Sequence, residues 1–577
     1  MPAPLTLNFG PWLPDVANSG VAVDAQQGAA TIPLADCLNV YYADGQYRSF
    51  PTATNEAAND YVLSAPLGAF TGLDPGGNAT PVVGTAGAID MLNPNGSNFV
   101  QVGSGYTARS WSFCQFGAQM YATDNSLLCT DGLQSWGFGT DAAAATVSGA
   151  PCSAVVATVG QFVMVGNLAA PITGFAVGTG TGASNFFTAT STNYPIRPGT
   201  VRIYVAGVLV GSDATTYGVI SPVGGSTLSA TSSVSYEDGL IQLHFTAFVA
   251  NGAAITANFV QAFISRVQWS AIGNGQSWPV PLTNAAIAAQ SGYQDNDADL
   301  GAVTVIAGYP LYCLIFQKSG IQRAQYVGGQ VVFSFGAYER KRGCIATNTA
   351  VQVSGAVYFL AEDGFFETDG ASVTPIGTAS DNSAGIDNWF WANVNPAALG
   401  AISGAYDATL RCVMWAIPTG SATAPNLLLI YNPLAGKWTK ATQLCTLIWS
   451  DSDGTRHKVG LFSQLTAATY YYYQSLAGIP ATGYLETCDT IPDDGTIRYT
   501  VGAIPNIDCT DVPLTQIGTR SSLSRSVSYT GYRAQDQFTT VAPFLAPGAR
   551  YTRARVASAA ANAINGVTLL QEAGGPM

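Results

Sequence analysis

The residues best placed to do chemistry are few. Asp295-Asn296-Asp297-Ala298-Asp299 sets three carboxylates at alternate positions, a spacing that can wrap oxygen ligands around calcium. The remainder of such a loop is missing, because Leu300 stands where a calcium loop needs glycine and Ile306 where it needs glutamate. Asp295, Asp297 and Asp299 are therefore only weak metal candidates, and a solvated loop is the better expectation. Asp451-Ser452-Asp453-Gly454 is a weaker version of the same pattern and has the outline of a structural Asp-box turn without its tryptophan. Glu339-Arg340-Lys341-Arg342 is the densest charge group in the chain. Arg340, Lys341 and Arg342 are candidates for contact with a neighbouring subunit or a phosphate, against the alternative of a solvated corner.

The two histidines, His244 and His457, lie in different parts of the chain, which argues against a histidine triad or zinc centre. Ten cysteines are widely scattered with no C-x-x-C pair, so most are expected to be free, small core residues. Three tryptophan-bearing stretches, 267–278, 387–394 and 432–441, have the aromatic content to stack sugars. Few paired acids or amides accompany them, so core or interface packing is the stronger expectation. No catalytic residue and no cofactor are expected.

The elements that must position these residues are strands. Apolar runs are four to seven residues long, rich in Val, Ile, Phe and Tyr, and bounded by Gly, Asn, Asp or Pro, which predicts an all-β chain. A strand, a glycine turn, an aromatic strand, a polar turn and a third strand recur at 114–132, 156–167, 305–328, 351–370 and 402–418, more loosely at 458–474. Gly117 and Gly160 are about 43 residues apart and Gly308 and Gly355 about 47, the length of one four-stranded propeller blade. A β-propeller-like body is the economical reading, an array of β-sandwiches its alternative. In this reading Asp124-Asn125, Lys318-Ser319-Gly320 and Glu362-Asp363-Gly364 are the polar turns between inner strands.

The period fails between Gly160 and Gly308. Residues 174–261 read as an inserted small β-sandwich, with half-buried alternation at Val201–Val205 and Leu240–Phe245. The resulting plan is an N-terminal arm and first strands (1–55), a first part of the propeller (56–173), the insertion (174–261), the remainder of the propeller (262–480) and a C-terminal β-element with a tail (481–577). The tail, 557–577, is expected to be loosely held unless a neighbour captures it.

Composition narrows the function classes. The 577 residues carry only 10 % charged side chains, well below the roughly 25 % of an ordinary soluble protein. An uncharged surface of this kind suits packing against copies of itself. The formal net charge of −13 argues against tight phosphate-backbone binding. Six of the 22 basic residues lie between Arg520 and Arg555, giving an acidic body and a mildly basic C-terminal part. The first fifteen residues lack a basic, apolar leader, so Sec export is not expected and synthesis in a reducing cytoplasm is. The uncharged stretch 155–178 is the only membrane suspect. Its Gly, Asn and Pro interruptions favour two strands over a membrane helix.

Taken in order, GPWLPD and NVYYADGQYRSFP (10–51), SRVQWSAIGNGQSW (265–278), the long run from LIFQKSGIQRAQYVGG to PIG (314–377), WFWANVN (389–395) and GARYTRARV (548–556) resemble the nozzle, or tail-hub (packaged-DNA stabilisation), proteins of short-tailed bacteriophages. The insertion resembles small β-domains spliced into virion proteins, through 192–201 and 236–245. The resemblance implies a non-enzymatic virion tail protein assembled in the host cytoplasm. It implies a homo-hexameric ring that continues the portal and adaptor channel, meets tail fibres or spikes, retains packaged DNA and lets double-stranded DNA pass, with no stable membrane insertion. The other function classes compatible with the residues are a tail adhesion or receptor-binding protein and a glycan-degrading propeller enzyme. The insertion is a departure from the family pattern and is expected to project outward.

Overall fold

The structure is a computed structural model. It describes all residues except 1–2, 24–28, 55–59, 94–97, 140–141, 379–384, 453, 467–468, 493–495, 537–538 and 575–577. The chain is all-β and β-propeller-like, with an inserted sandwich and a further β-element built from its ends. It divides into two compact units, residues 64–345 and residues 1–63 with 346–577.

The unit 64–345 contains four antiparallel four-stranded blades. The first runs from Gly68–Leu73 to Phe99–Ser104 and the second from Ser112–Phe116 to Ala145–Thr146. The third joins Cys152–Val159, Phe162–Thr179, Ala254–Trp269 and Gly292–Asp295, and the fourth runs from Val303–Gly308 to Phe333–Glu339. Both faces of the middle strands are apolar because each blade packs on the next. Val82, Ile89 and Met91 of the first blade meet Met120, Ala122 and Trp136 of the second. Met164 and Val267 of the third meet Val303, Ile306 and Ile315 of the fourth.

Close packing explains one glycine that the spacing argument misreads. Gly117 and Gly160 occupy tight turns with positive φ, whereas Gly308 is the last residue of a strand. A Cβ there would lie 1.9 Å from the Thr158 carbonyl oxygen of the preceding blade. Gly308 is needed for that approach, and the reversal itself falls at Tyr309–Leu311. Lys318–Gly320 and Glu362–Asp363 are tight turns as expected, but Asp124-Asn125 begins the long connection from Thr123 to Gln134. The membrane suspect is the strand pair Cys152–Val159 and Phe162–Thr179. Among the described residues no helix is long and apolar enough to cross a membrane.

The insertion grows from the third blade without a break. Phe162–Thr179 and Ala254–Trp269 stay paired from Met164↔Trp269 out to Thr179↔Ala254, so the strands run past the expected boundaries at 174 and 261. Their outer halves join Arg202–Val205 and Val208–Ser212 in one sheet, which shares a core with the three-stranded sheet of Phe186–Thr190, Leu240–His244 and Ser233–Val234. Ile203, Ile241, Leu243, Ile255 and Phe259 fill that core. A loop clamp secures the root, where the Arg197 guanidinium donates to Ser126 O (2.9 Å), Leu127 O (3.3 Å) and Asn125 Oδ1 (3.0 Å). Cys129 and Cys152 form a disulfide beside it, and the other eight cysteines are free, all but Cys509 fully buried.

The second unit holds three further blades, 351–375, 403–441 and 447–473, the last taking Tyr61–Val62 as its outer strand. It also holds a 14-stranded sheet from both ends of the chain. Ala3–Trp12 lies between Ala29–Leu38, its parallel partner, and Ala561–Ala573, its antiparallel one. The tail is therefore not loosely held: Ala561–Ala573 is paired on both edges and buries Ile564, Val567 and Leu569 completely. Each such side chain contributes roughly 1.5–3 kcal/mol of apolar burial. The separate N-terminal arm and C-terminal element are thus parts of one terminal β-domain.

Candidate functional site

The residues that the sequence singles out are not gathered into a reactive centre. Asp295 is held by Arg266 across a strand pair, Nε to Oδ1 at 2.6 Å and Nη2 to Oδ2 at 2.8 Å, with the guanidinium also over the Phe263 and Tyr293 rings. Asp297 caps a short 3-10 turn by accepting from the Asp299 amide (3.1 Å) and faces Arg340 at 3.4 Å. Two of the three carboxylates are thus committed to arginines and a cap. Among the described residues no group of three His, Cys, Asp or Glu could hold a metal ion. Asp451 is buried under the Tyr472 hydroxyl, while its partner in the motif, Asp453, lies outside the described residues.

Arg340, Lys341 and Arg342 follow the strand Phe333–Glu339 on an exposed corner, where the Glu339 carboxylate accepts from the Lys341 amide (2.7 Å). His244 packs on Phe186 with ring centroids 4.6 Å apart, and His457 is exposed at the start of a strand in the other unit. The tryptophans are framework. Trp269, Trp278 and Trp438 are buried and donate their indole N–H groups to Gln290 O, Gly275 O and Ile376 O.

What the fold does bring together is a chain of charges in the terminal β-domain. Arg553 and Arg555 alternate along the strand Tyr551–Ser558, so both point to one face, where Glu486 and Asp489 come from the neighbouring segment. Arg553 donates to Asp489 through Nε (3.0 Å) and Nη2 (2.9 Å), to Glu486 through Nη1 (3.1 Å), and to Ala17 O and Asn18 Oδ1 (2.7 and 2.9 Å). Arg520 shares Asp489 and Asn18, and Arg555 forks onto Glu486. The Tyr529 hydroxyl donates to Glu486 at 2.5 Å. Burial disfavours the charged arginines, but the two carboxylates outweigh it and hold Arg553 and Arg555 more firmly protonated than usual. Burial, and then Glu486, pushes the Tyr529 phenol up.

The network continues through Asp36, which accepts from Tyr484 (2.5 Å) and pairs with Lys440 (2.6 Å). The Lys440 ammonium sits 5.0 and 4.9 Å from the rings of Trp12 and Trp389, which meet edge-to-face at 5.2 Å. Three of the six C-terminal arginines, Arg520, Arg553 and Arg555, are therefore consumed internally, which removes half of the expected basic character of that part. Sequence segments 10–51, 389–395 and 548–556, far apart in the chain, converge on this clamp through Trp12, Asn18 and Asp36, through Trp389, and through Arg553 and Arg555.

The same domain bears a groove of about 730 Å³ between the hairpin Val40–Ser49, Pro480 and the segments 508–510 and 560–565. Tyr41, Gln46, Arg48, Asp508, Asn562 and Asn565 line it. Sequence reasoning does not find it, because none of its three segments is distinctive alone. Asn562 and Asn565 are exposed carboxamides in the small-residue first half of the strand Ala561–Ala573.

No family model and no curated protein matches the chain. Among solved structures, the AfRom2 CNH domain aligns over 73 % of this chain and 97 % of its own at 9 % identity and a TM-score of 0.32. A Mycobacterium tuberculosis puromycin-hydrolyzing peptidase aligns over 77 % of this chain and 62 % of its own, at 10 % identity and 0.31. Citrobacter koseri AztD aligns over 65 % and 86 %, at 12 % identity and 0.26. Likeness of this order carries no functional argument.

Proposed function

We propose that this chain is a structural subunit of a short phage tail, a nozzle protomer that associates with copies of itself into a ring and continues the portal and adaptor channel. The observation that carries the reading is the convergence of 10–51, 389–395 and 548–556, the segments that resemble nozzle proteins, on one buried clamp that ties the chain's two ends together. A subunit that must hold pressurised DNA and then open gains from ends that cannot peel away. The low charge content supports lateral packing, since uncharged surface desolvates at little cost. The acidic balance supports passage of DNA along a wall that does not bind phosphate. In this reading the protein performs no catalysis.

A tail adhesion role is the second reading. Its support is the inserted sandwich, whose Val208, Tyr217 and Phe248 side chains are exposed although the module has a complete core of its own.

Light scattering on the purified protein tests the proposal. The nozzle reading expects a closed assembly of about six times the 59.7 kDa chain mass. A monomer at all concentrations, with affinity for cell-surface polysaccharide through the insertion, would favour adhesion.

A further inference from the structure

We infer that the groove of the terminal β-domain is a saccharide-binding site, built for an extended chain of neutral sugars. The inference is independent of the ring reading.

The volume, about 730 Å³, falls within the roughly 300–1,000 Å³ of ligand clefts, but the lining is not the apolar one such clefts usually have. Among the described residues, the carboxamides of Gln46, Asn562 and Asn565 make no hydrogen bond to the chain, and each offers a donor and an acceptor from one planar group. That pairing matches two adjacent hydroxyls of a sugar ring, which donate and accept at similar spacing.

Arg48 supplies the second, independent feature. Its Nη2 is held by Asp44 at 3.1 Å, yet its Nε is buried without a hydrogen-bond partner. The Arg48 side chain lines the groove and keeps 31 % of its surface exposed, so guanidinium hydrogens not taken by Asp44 can donate to a ligand hydroxyl. Asp508 adds an exposed carboxylate that can accept from hydroxyls, and Tyr41, edge-on to Phe50 at 6.3 Å, adds an aromatic surface of the kind on which the C–H face of a pyranose rests. One cation already paired to Asp44 and one opposing carboxylate give the site no net preference for an anion, which favours neutral sugars over phosphates or uronic acids.

The site is preorganised. The Ala561 amide donates to Ser49 Oγ at 2.9 Å and Tyr47 pairs with Ile564, so the hairpin and the C-terminal strand that form its two sides are fixed to each other.

The test is to probe the full-length protein with an array of bacterial surface polysaccharides and defined neutral hexose oligosaccharides. Saturation-transfer NMR then follows with the retained oligosaccharide. The inference expects weak binding to a neutral glycan and protection of the 41–48 and 561–565 amides from hydrogen exchange. Asn562→Ala and Asn565→Ala, both at exposed positions, are expected to weaken binding about tenfold each, as loss of a paired hydrogen bond would. Gln46→Ala provides a third variant should either asparagine change impair folding, and Tyr217→Ala on the insertion should leave binding unchanged. Retention of no glycan overturns the inference. So does binding that survives the groove variants, or that is abolished by the insertion variant, or selective capture of extended peptides.

Discussion

Arg553→Met removes the central donor of the terminal clamp, and its cost can be worked from the contacts. The side chain is 9 % exposed and its two acid partners 1–2 %, so solvent cannot replace what is lost. Breaking a buried pair on one side costs about 3–5 kcal/mol, because an unneutralised charge is stranded. Here the lower end applies. Asp489 keeps Arg520, Glu486 keeps Arg555 and Tyr529, and Asn18 keeps Arg520, while the Ala17 carbonyl loses the arginine donor. About 3 kcal/mol in a β-domain of this size corresponds to a fall of roughly 6–12 °C in its unfolding midpoint. Scanning calorimetry of the full chain reads it directly. Arg553→Lys, which keeps the charge but not the fork, should fall between Met and wild type. Arg525→Met, at an exposed position, should stay within about 0.5 kcal/mol of wild type. A cost below about 1 kcal/mol for Arg553→Met would refute the reasoning, and the clamp would then be replaceable by apolar packing.

Burial raises the Asp387 carboxyl to about 6, although Thr378 and the Phe365 amide donate to it. Because the folded state holds the proton above the unfolded pKa, this group's contribution to stability is fully present below about pH 4 and is lost as pH rises through about 6. Asp387→Asn should flatten that part of the urea midpoint profile between pH 4 and 7, and an unchanged slope would contradict the assignment. Gly308→Ala should cost about 3 kcal/mol, since its Cβ meets a backbone oxygen that cannot move aside. An unchanged thermal midpoint would show that the two blades separate easily. Excision of residues 173–258, joining the blade strands by a short turn at Ile172 and Phe259, should leave the oligomer mass per chain ratio unchanged. Loss of assembly would mean that the insertion is part of the ring contact.

The blades were legible because their signals are local. Positive-φ turns at Gly117 and Gly160 need glycine or a close substitute, and in the insertion period-two burial is visible in Leu240–Phe245. The terminal domain was not legible, because strand partners are chosen by packing at long range. Nothing in Ala3–Trp12 announces that it pairs with Ala561–Ala573, and nothing in Tyr61–Val62 announces a blade some 400 positions later. The clamp was not legible. The C-terminal arginines read only as a mildly basic stretch, and Glu486 and Asp489 come within reach of Arg553 and Arg555 only once strands distant in the chain are paired. For the aspartates at 295–299 the spacing was a true feature with another use, since Arg266 faces Asp295 across the sheet.

The central claim is that this chain forms the distal ring of a phage tail, and the most direct test is to mix the purified protein with the portal and adaptor complex of the same virion and image the product. The account predicts a ring with a central channel, in register with the portal axis and capping its adaptor end. Particles in which the portal and adaptor complex stays bare, at protein concentrations well above those used for assembly, would contradict it.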